Sequence, residues 1–158
     1  MTHHASPLQR VLRRGIATAA ALLALAGGLL ASVADGARTV RVNDTGYLRL
    51  AHASGEELYE AGAISGTLPG TASVHLHVGA ETVTASFTID VRGGGSISGT
   101  GLAKIGSPGR YTSFAGTLAV TGGSGRYAHA HGQGKLYGVI ERKNDKLTVQ
   151  TREGALDY

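Results

Sequence analysis

The stretch ETVTASFTIDV, residues 81–91, alternates apolar and polar side chains along its length. Val83, Phe87 and Ile89 are among its apolar positions, and threonine, serine or aspartate fills the positions between them. A period of two predicts a β-strand with one buried face, because successive side chains of a strand point to opposite sides. The segment TASVHLHV just upstream repeats the pattern and places His75 and His77 on the face opposite its apolar residues.

Similar β-rich runs continue on both sides of this stretch. They include YLRLAH, ELYEAGAISGTL, SISGTGLAKI, RYTSFAGTLAV, GKLYGVIE and KLTVQTRE, and Gly, Pro, Asn and Asp residues separate them. About eight short strands with such turns predict an all-β antiparallel barrel or sandwich. Glycines inside the runs favour the barrel, because they permit sharp coiling and because a closed barrel exposes no strand edge.

The N-terminal segment has the features of a signal peptide. Residues 1–15 contain Arg10, Arg13 and Arg14 and no acidic residue, residues 16–30 are almost entirely apolar, and Ser-Val-Ala at 32–34 fits a small-residue cleavage site. This order of basic, apolar and small-residue regions predicts a secreted or cell-surface protein whose leader is cleaved off after residue 34. If it were not cleaved, the segment at residues 16–34 would be long enough to cross a bilayer. The adjacent Arg13 and Arg14 leave both the general and the twin-arginine export routes open.

The predicted domain organisation is therefore a removed signal peptide at 1–34, a lead-in with the first strand at 35–55, and a barrel domain at 56–158. Three of the 15 Lys and Arg residues leave with the signal peptide, so 12 remain against 11 Asp and Glu. This balance, together with the lack of a Lys/Arg cluster with interleaved aromatics, predicts no nucleic-acid partner. No membrane partner is expected once the signal peptide has been cleaved. The absence of cysteine excludes disulfides, a catalytic thiol and thiolate metal sites.

The glycine-rich segment TGGSGRYAHAHGQG, residues 121–134, resembles a phosphate loop only superficially. It lacks the Gly-Lys-Ser/Thr ending of one nucleotide motif and the Gly-x-Gly-x-x-Gly spacing of another. We expect Gly122, Gly123, Gly125 and Arg126 to form a tight hairpin connection, with Tyr127 starting the next strand.

Histidine pairs at 75/77 and 129/131 have a spacing that can bind a metal on a strand. We expect exposed strand histidines and neither a metal nor a cofactor. The strand from 127 onward has a polar face with Tyr127, His129 and His131 and a small-residue face, and either could point inward. With the polar face inside, those three residues are candidates for lining a ligand pocket. Glu56, Glu57 and Glu60 are expected on a solvated edge.

The segment FAGTLAVTGGSGRYAHAHGQGKLYG, residues 114–138, resembles the allene oxide cyclase barrel-like superfamily, which includes the plant dirigent proteins. The resemblance implies a calycin-like, eight-stranded antiparallel barrel with a central apolar cavity, often in a homo-oligomer. Relatives steer reactive intermediates inside the barrel, using a cysteine and a buried glutamate or cavity aspartates. The chain has no cysteine and no alignable glutamate, and Asp90 is a loose counterpart of those aspartates, so no catalytic residue is carried over.

Two functions follow as expectations. The first is an exported, glycine-rich bacterial barrel without enzymatic activity that binds a small apolar molecule or serves as a cell-surface module. The second is a cyclase or isomerase that positions a reactive apolar substrate in the barrel, since such catalysis needs orientation more than a nucleophile. No metal is assigned to either.

Overall fold

The computed structural model describes residues 38–106 and 109–158. The predicted signal peptide, residues 1–34, and its cleavage site lie outside the described residues. Within the described part, no helix has the length and apolar character needed to span a membrane.

Eight antiparallel strands form one closed barrel in sequence order, with β8 returning to pair with β1. The strands are β1 (Thr39–Ser54), β2 (Glu57–Gly66), β3 (Gly70–Val78), β4 (Thr82–Val91), β5 (Ser96–Ile105), β6 (Tyr111–Gly123), β7 (His131–Glu141) and β8 (Lys146–Asp157). The prediction of an all-β, eight-stranded antiparallel barrel is confirmed. The first strand, grouped with the lead-in from the sequence, pairs with both β2 and β8 and is an integral barrel strand.

The alternation in β3 and β4 assigns their faces as predicted. Val83 and Val91 are buried, whereas Thr84 and Asp90 are exposed. On β3, Leu76 is buried and belongs to the core, while His77 is exposed on the outer face. One face of each strand therefore fills the barrel and the other faces solvent.

The two ends of the barrel carry different connections, and we name each end by one residue. The Asp145 end carries the β1–β2, β3–β4, β5–β6 and β7–β8 connections, and the Tyr127 end carries the other three. Inside the body of the barrel, a core cluster includes Leu48, Phe114 and Leu147. A second cluster closes the Tyr127 end, and its members are Leu68, Val91, Ile97, Tyr127, Ala130 and Leu156.

The β6–β7 connection differs from the predicted tight hairpin. Strand β6 ends at Gly123, a 3-10 turn spans Gly125–Tyr127, and β7 begins only at His131. Tyr127 therefore does not start the next strand, and it is 1 % exposed. The reason is local: Gly125 has φ +59°, a conformation that glycine adopts without strain, and the turn that follows carries the tyrosine into the second core cluster.

Candidate functional site

A cavity of about 110 Å³ lies inside the barrel. Its wall is almost entirely apolar, with side chains such as Leu48, Leu76, Phe87, Leu118, Leu136 and Val149. Glycines also form part of the wall, and Gly101 on β5 is the clearest example. A β-carbon added there would make only ordinary contacts, at 3.4 Å from Leu136 and 3.6 Å from Ala85, so the glycine leaves room for a ligand.

The size of the cavity limits what it can hold. Pockets for drug-sized ligands usually measure roughly 300–1,000 Å³, whereas an apolar cavity of about 150 Å³ stays dry and binds benzene or xenon. The cavity of this barrel is close to the second value. Its geometry therefore suits a molecule of about one ring.

Asp44 contributes a carboxyl group to this apolar wall. Its Oδ1 accepts a hydrogen bond from the backbone N–H of Leu68 at 3.0 Å. Burial raises the pKa of Asp44 above its ordinary value, while hydrogen bonds from the backbone of Leu68 and Thr67 act in the opposite direction. A carboxyl group in this setting is able to accept a hydrogen bond from a ligand or, when protonated, to donate one.

The sequence pattern did not single out Asp44, although a signal for it is present. Val42, Asp44, Gly46 and Leu48 alternate along β1, and all four contribute to the cavity wall. Including Asp44 in this alternating pattern would have identified an inward carboxyl group. The β-branched and apolar residues on neighbouring strands made their own alternation easier to recognise.

Glu60 is a second inward carboxyl group, and its expected place on a solvated edge was wrong. It is 5 % exposed, and on β2 it lies on the same face as Ile64, a member of the core cluster, and Leu58, which packs against that cluster. In the described structure its Oε2 is buried and has no hydrogen-bond partner. Its pKa is raised to about 7, mainly because burial removes its hydration and to a smaller extent because Asp145 repels its charge. Glu60 is not part of the wall of the cavity and lies toward the Asp145 end.

The three pocket candidates lie away from the cavity. Tyr127 is packed in the second core cluster, with the Arg126 guanidinium 4.9 Å from its ring centroid. His129 and His131 are exposed at the Tyr127 end. The small-residue face of β7 points inward, since Leu136 on that face forms part of the wall and His131 faces solvent; Gln133 of the polar face also borders the cavity.

The two histidine pairs lie at opposite ends of the barrel, so they do not combine into one site. His75 and His77 are on the outer face of β3, where both contact the carboxylate of Glu57 at 2.6 and 2.7 Å. Hydrogen bonding to His77 is the main cause that lowers the pKa of Glu57. Across residues 38–106 and 109–158, no group of three or more His, Asp or Glu side chains is arranged to hold a metal ion.

No family model, curated protein or solved structure matches this chain. The apolar cavity and the carboxyl group in its wall are therefore the features on which a functional proposal rests.

Proposed function

We propose that the chain is an exported β-barrel that binds a small apolar molecule, about one ring in size, in its interior. The observation that carries this proposal is the apolar cavity of about 110 Å³ with the Asp44 carboxyl in its wall. Export is supported by the order of basic, apolar and small residues in residues 1–34.

The expected affinity follows from the area that such a ligand buries. A single aromatic ring buries on the order of 200 Å², which contributes roughly 5 kcal/mol at about 25 cal/mol per Å². Burial alone therefore supports dissociation constants between about 0.1 and 1 mM. A hydrogen bond to the carboxylate of Asp44 would contribute roughly 1.5–3 kcal/mol more, which favours a ring that carries one donor group.

The same proposal places the chain among the allene oxide cyclase-like and dirigent-like barrels. Two observations support it: the eight strands close in simple sequence order, and the segment at 114–138 has the glycine pattern that carries the resemblance. The homo-oligomer that the resemblance implies is part of the proposal.

A cyclase or isomerase is the second candidate, and Asp44 is the observation that favours it. A carboxyl group whose pKa is raised by burial is a candidate for general acid–base chemistry. An apolar cavity would also hold a reactive substrate in one orientation and keep water away from it. In that case Asp44→Asn would abolish turnover while retaining the part of the ligand affinity that apolar burial provides.

Native mass spectrometry of the protein purified from its own host tests the proposal. We expect an additional mass that organic extraction removes, and the extract should contain a small apolar compound. Protein that carries no such compound, and whose melting temperature does not change with saturating toluene or benzyl alcohol, would contradict ligand binding.

A further inference from the structure

The charged side chains of the barrel are divided between its two sides. Residues 53–91, which form β2, β3 and β4, contain five Asp and Glu, of which only Glu60 is buried inside the barrel, and no Lys or Arg. Residues 92–158 contain nine Lys and Arg against four Asp and Glu. Because the strands close in sequence order, these two stretches occupy opposite sides of the barrel. The near-neutral total charge therefore conceals an acidic side and a basic side.

Exposed large apolar side chains are concentrated on the basic side. Six such side chains occur among the described residues, and only Tyr59 lies on the acidic side. The other five lie on β1, β5, β6 and β7, and they are Tyr47, Leu102, Tyr111, Tyr137 and Val139. Aromatic, aliphatic and cationic groups thus share one surface.

Strand register makes these residues contiguous. One cross-strand row on the outer face consists of Lys104, Ala115, Tyr137 and Gln150. The adjacent row consists of Ser113, Val139, Thr148 and Tyr47. We call the outer surface of β5–β8 and β1 the basic face. Its centre holds the exposed apolar side chains of Tyr47, Tyr137 and Val139 among small polar ones. Five cationic side chains, accompanied by Glu141 and Glu153, surround this centre: Arg49, Lys104, Lys135, Lys146 and Arg152.

The basic face places like charges directly opposite one another. Arg49 pairs with Lys146 across β1 and β8, and Lys135 pairs with Arg152 across β7 and β8, although Lys146 also has Glu141 opposite it on β7. Like charges in directly opposed positions destabilise a sheet. Glu153 contacts Lys135, but Arg49, Lys146 and Arg152 form no ion pair within the described part of the chain. An anionic partner would relieve this repulsion.

We propose that the basic face docks on the surface of an anionic lipid bilayer. Lysine and arginine gain binding energy near anionic headgroups, and tyrosine and aliphatic side chains bind favourably at the boundary between headgroups and acyl chains. A soluble polyanion would use the cationic side chains but not the apolar ones at the centre. Because the barrel surface is convex, the outer faces of β6, β7 and β8 contact the bilayer first, with Tyr137 and Val139 in the middle.

Vesicle co-sedimentation tests this proposal with protein that begins at Asp35. This form contains every strand of the closed barrel and its core, and it excludes the basic and apolar leader, which would bind vesicles by itself. We expect binding to equal mixtures of phosphatidylglycerol and phosphatidylcholine, weakened by salt, and no binding to phosphatidylcholine alone. Lys146→Gln with Arg152→Gln should lower the partition coefficient about fivefold per charge, or roughly 25-fold.

Two matched controls separate docking from general effects. Arg38→Gln with Arg92→Gln removes the same charge outside the basic face and should change binding by much less. Tyr137→Ser should weaken binding severalfold, whereas Tyr59→Ser should not; the two tyrosines are similarly exposed, at 39 % and 42 %, but lie on opposite sides. Circular dichroism would confirm that each variant is folded.

Three results would overturn the proposal. The first is absence of binding to the anionic vesicles. The second is equal binding to soluble polyphosphate with no effect of Tyr137→Ser, which would identify a polyanion site. The third is a dimer in solution that the Lys146 and Arg152 substitutions dissociate, which would identify an interface between copies of the chain.

Discussion

The ring of Tyr127 packs against that of Tyr158 with 4.7 Å between their centroids. Through this contact, the β6–β7 connection and the last residue of the chain close the same end of the barrel, below the cavity and beside Leu68 and Leu156. A residue that the sequence offered as a pocket candidate is thus part of the closure that separates the interior from solvent.

Loss of the Tyr127 ring from this end of the barrel should lower the stability of the fold. Tyr127→Ala removes a fully buried aromatic ring, so we expect the free energy of unfolding in urea to fall by roughly 3–5 kcal/mol. His129→Ala with His131→Ala changes only exposed side chains and should alter it by less than about 0.5 kcal/mol. A comparable loss in the histidine variant would show that those residues have a structural role that the fold does not explain.

The glycines of the β6–β7 connection should differ in their tolerance to substitution. A β-carbon at Gly123 would collide with the carbonyl oxygens of Ser96 and Tyr127, and Gly125 has φ +59°. Gly123→Val and Gly125→Val should therefore each lower the melting temperature, and each should reduce the free energy of unfolding by on the order of 1 kcal/mol or more. Gly122 is the control, because a β-carbon there meets no atom within 4 Å. An equal loss for Gly122→Ala would contradict this account.

Substitution of Asp44 should distinguish its hydrogen-bonding role from its charge. Asp44→Ala leaves the buried N–H of Leu68 without its acceptor, so we expect a loss of about 1–3 kcal/mol in urea unfolding. Asp44→Asn keeps an oxygen acceptor and should lose less than about 1 kcal/mol. Equal destabilisation by both variants would indicate that the ionised carboxylate itself is required.

Glu60 should make the protein less stable as pH rises. Its pKa is raised from 4.5 to about 7 on folding, so the folded state holds the proton more tightly than the unfolded state. The stability associated with the protonated group is complete below about pH 4.5 and is lost as pH rises through about 7, by roughly 3 kcal/mol. Glu60→Gln should remove this pH dependence. Urea unfolding from pH 4.5 to 8 measures it, and a profile that Glu60→Gln leaves unchanged would refute the assignment.

The sequence predicted the fold better than the site, for physical reasons. Alternation in β4 depends on burial alone, and burial determines which face of a strand points inward, so Val83 and Phe87 were assigned correctly. The position of Tyr127 depends on the backbone conformation of Gly125. The alternation of apolar and polar residues carries no information about that conformation. Glu60 was grouped with its acidic neighbours, although its position two residues after Leu58 puts it on the inner face.

The distribution of charge also depends on the topology. A near-neutral sum does not record where the charges lie. Because a barrel of sequential strands places adjacent stretches of sequence side by side, the absence of Lys and Arg from residues 53–91 becomes an acidic side. The topology was needed to see the basic face opposite it.

Occupation of the cavity is measured most directly by NMR titration of the protein that begins at Asp35 with toluene and with benzyl alcohol. We predict saturable shifts at residues of the cavity wall for both compounds, with tighter binding of the alcohol because its hydroxyl donates to Asp44. Gly101→Val fills the cavity and should abolish the shifts while the barrel stays folded, whereas Thr100→Val, on the outer face of the same strand, should leave them unchanged. Shifts that persist in Gly101→Val, or a wild-type protein that binds neither compound, would contradict a ligand site inside the barrel.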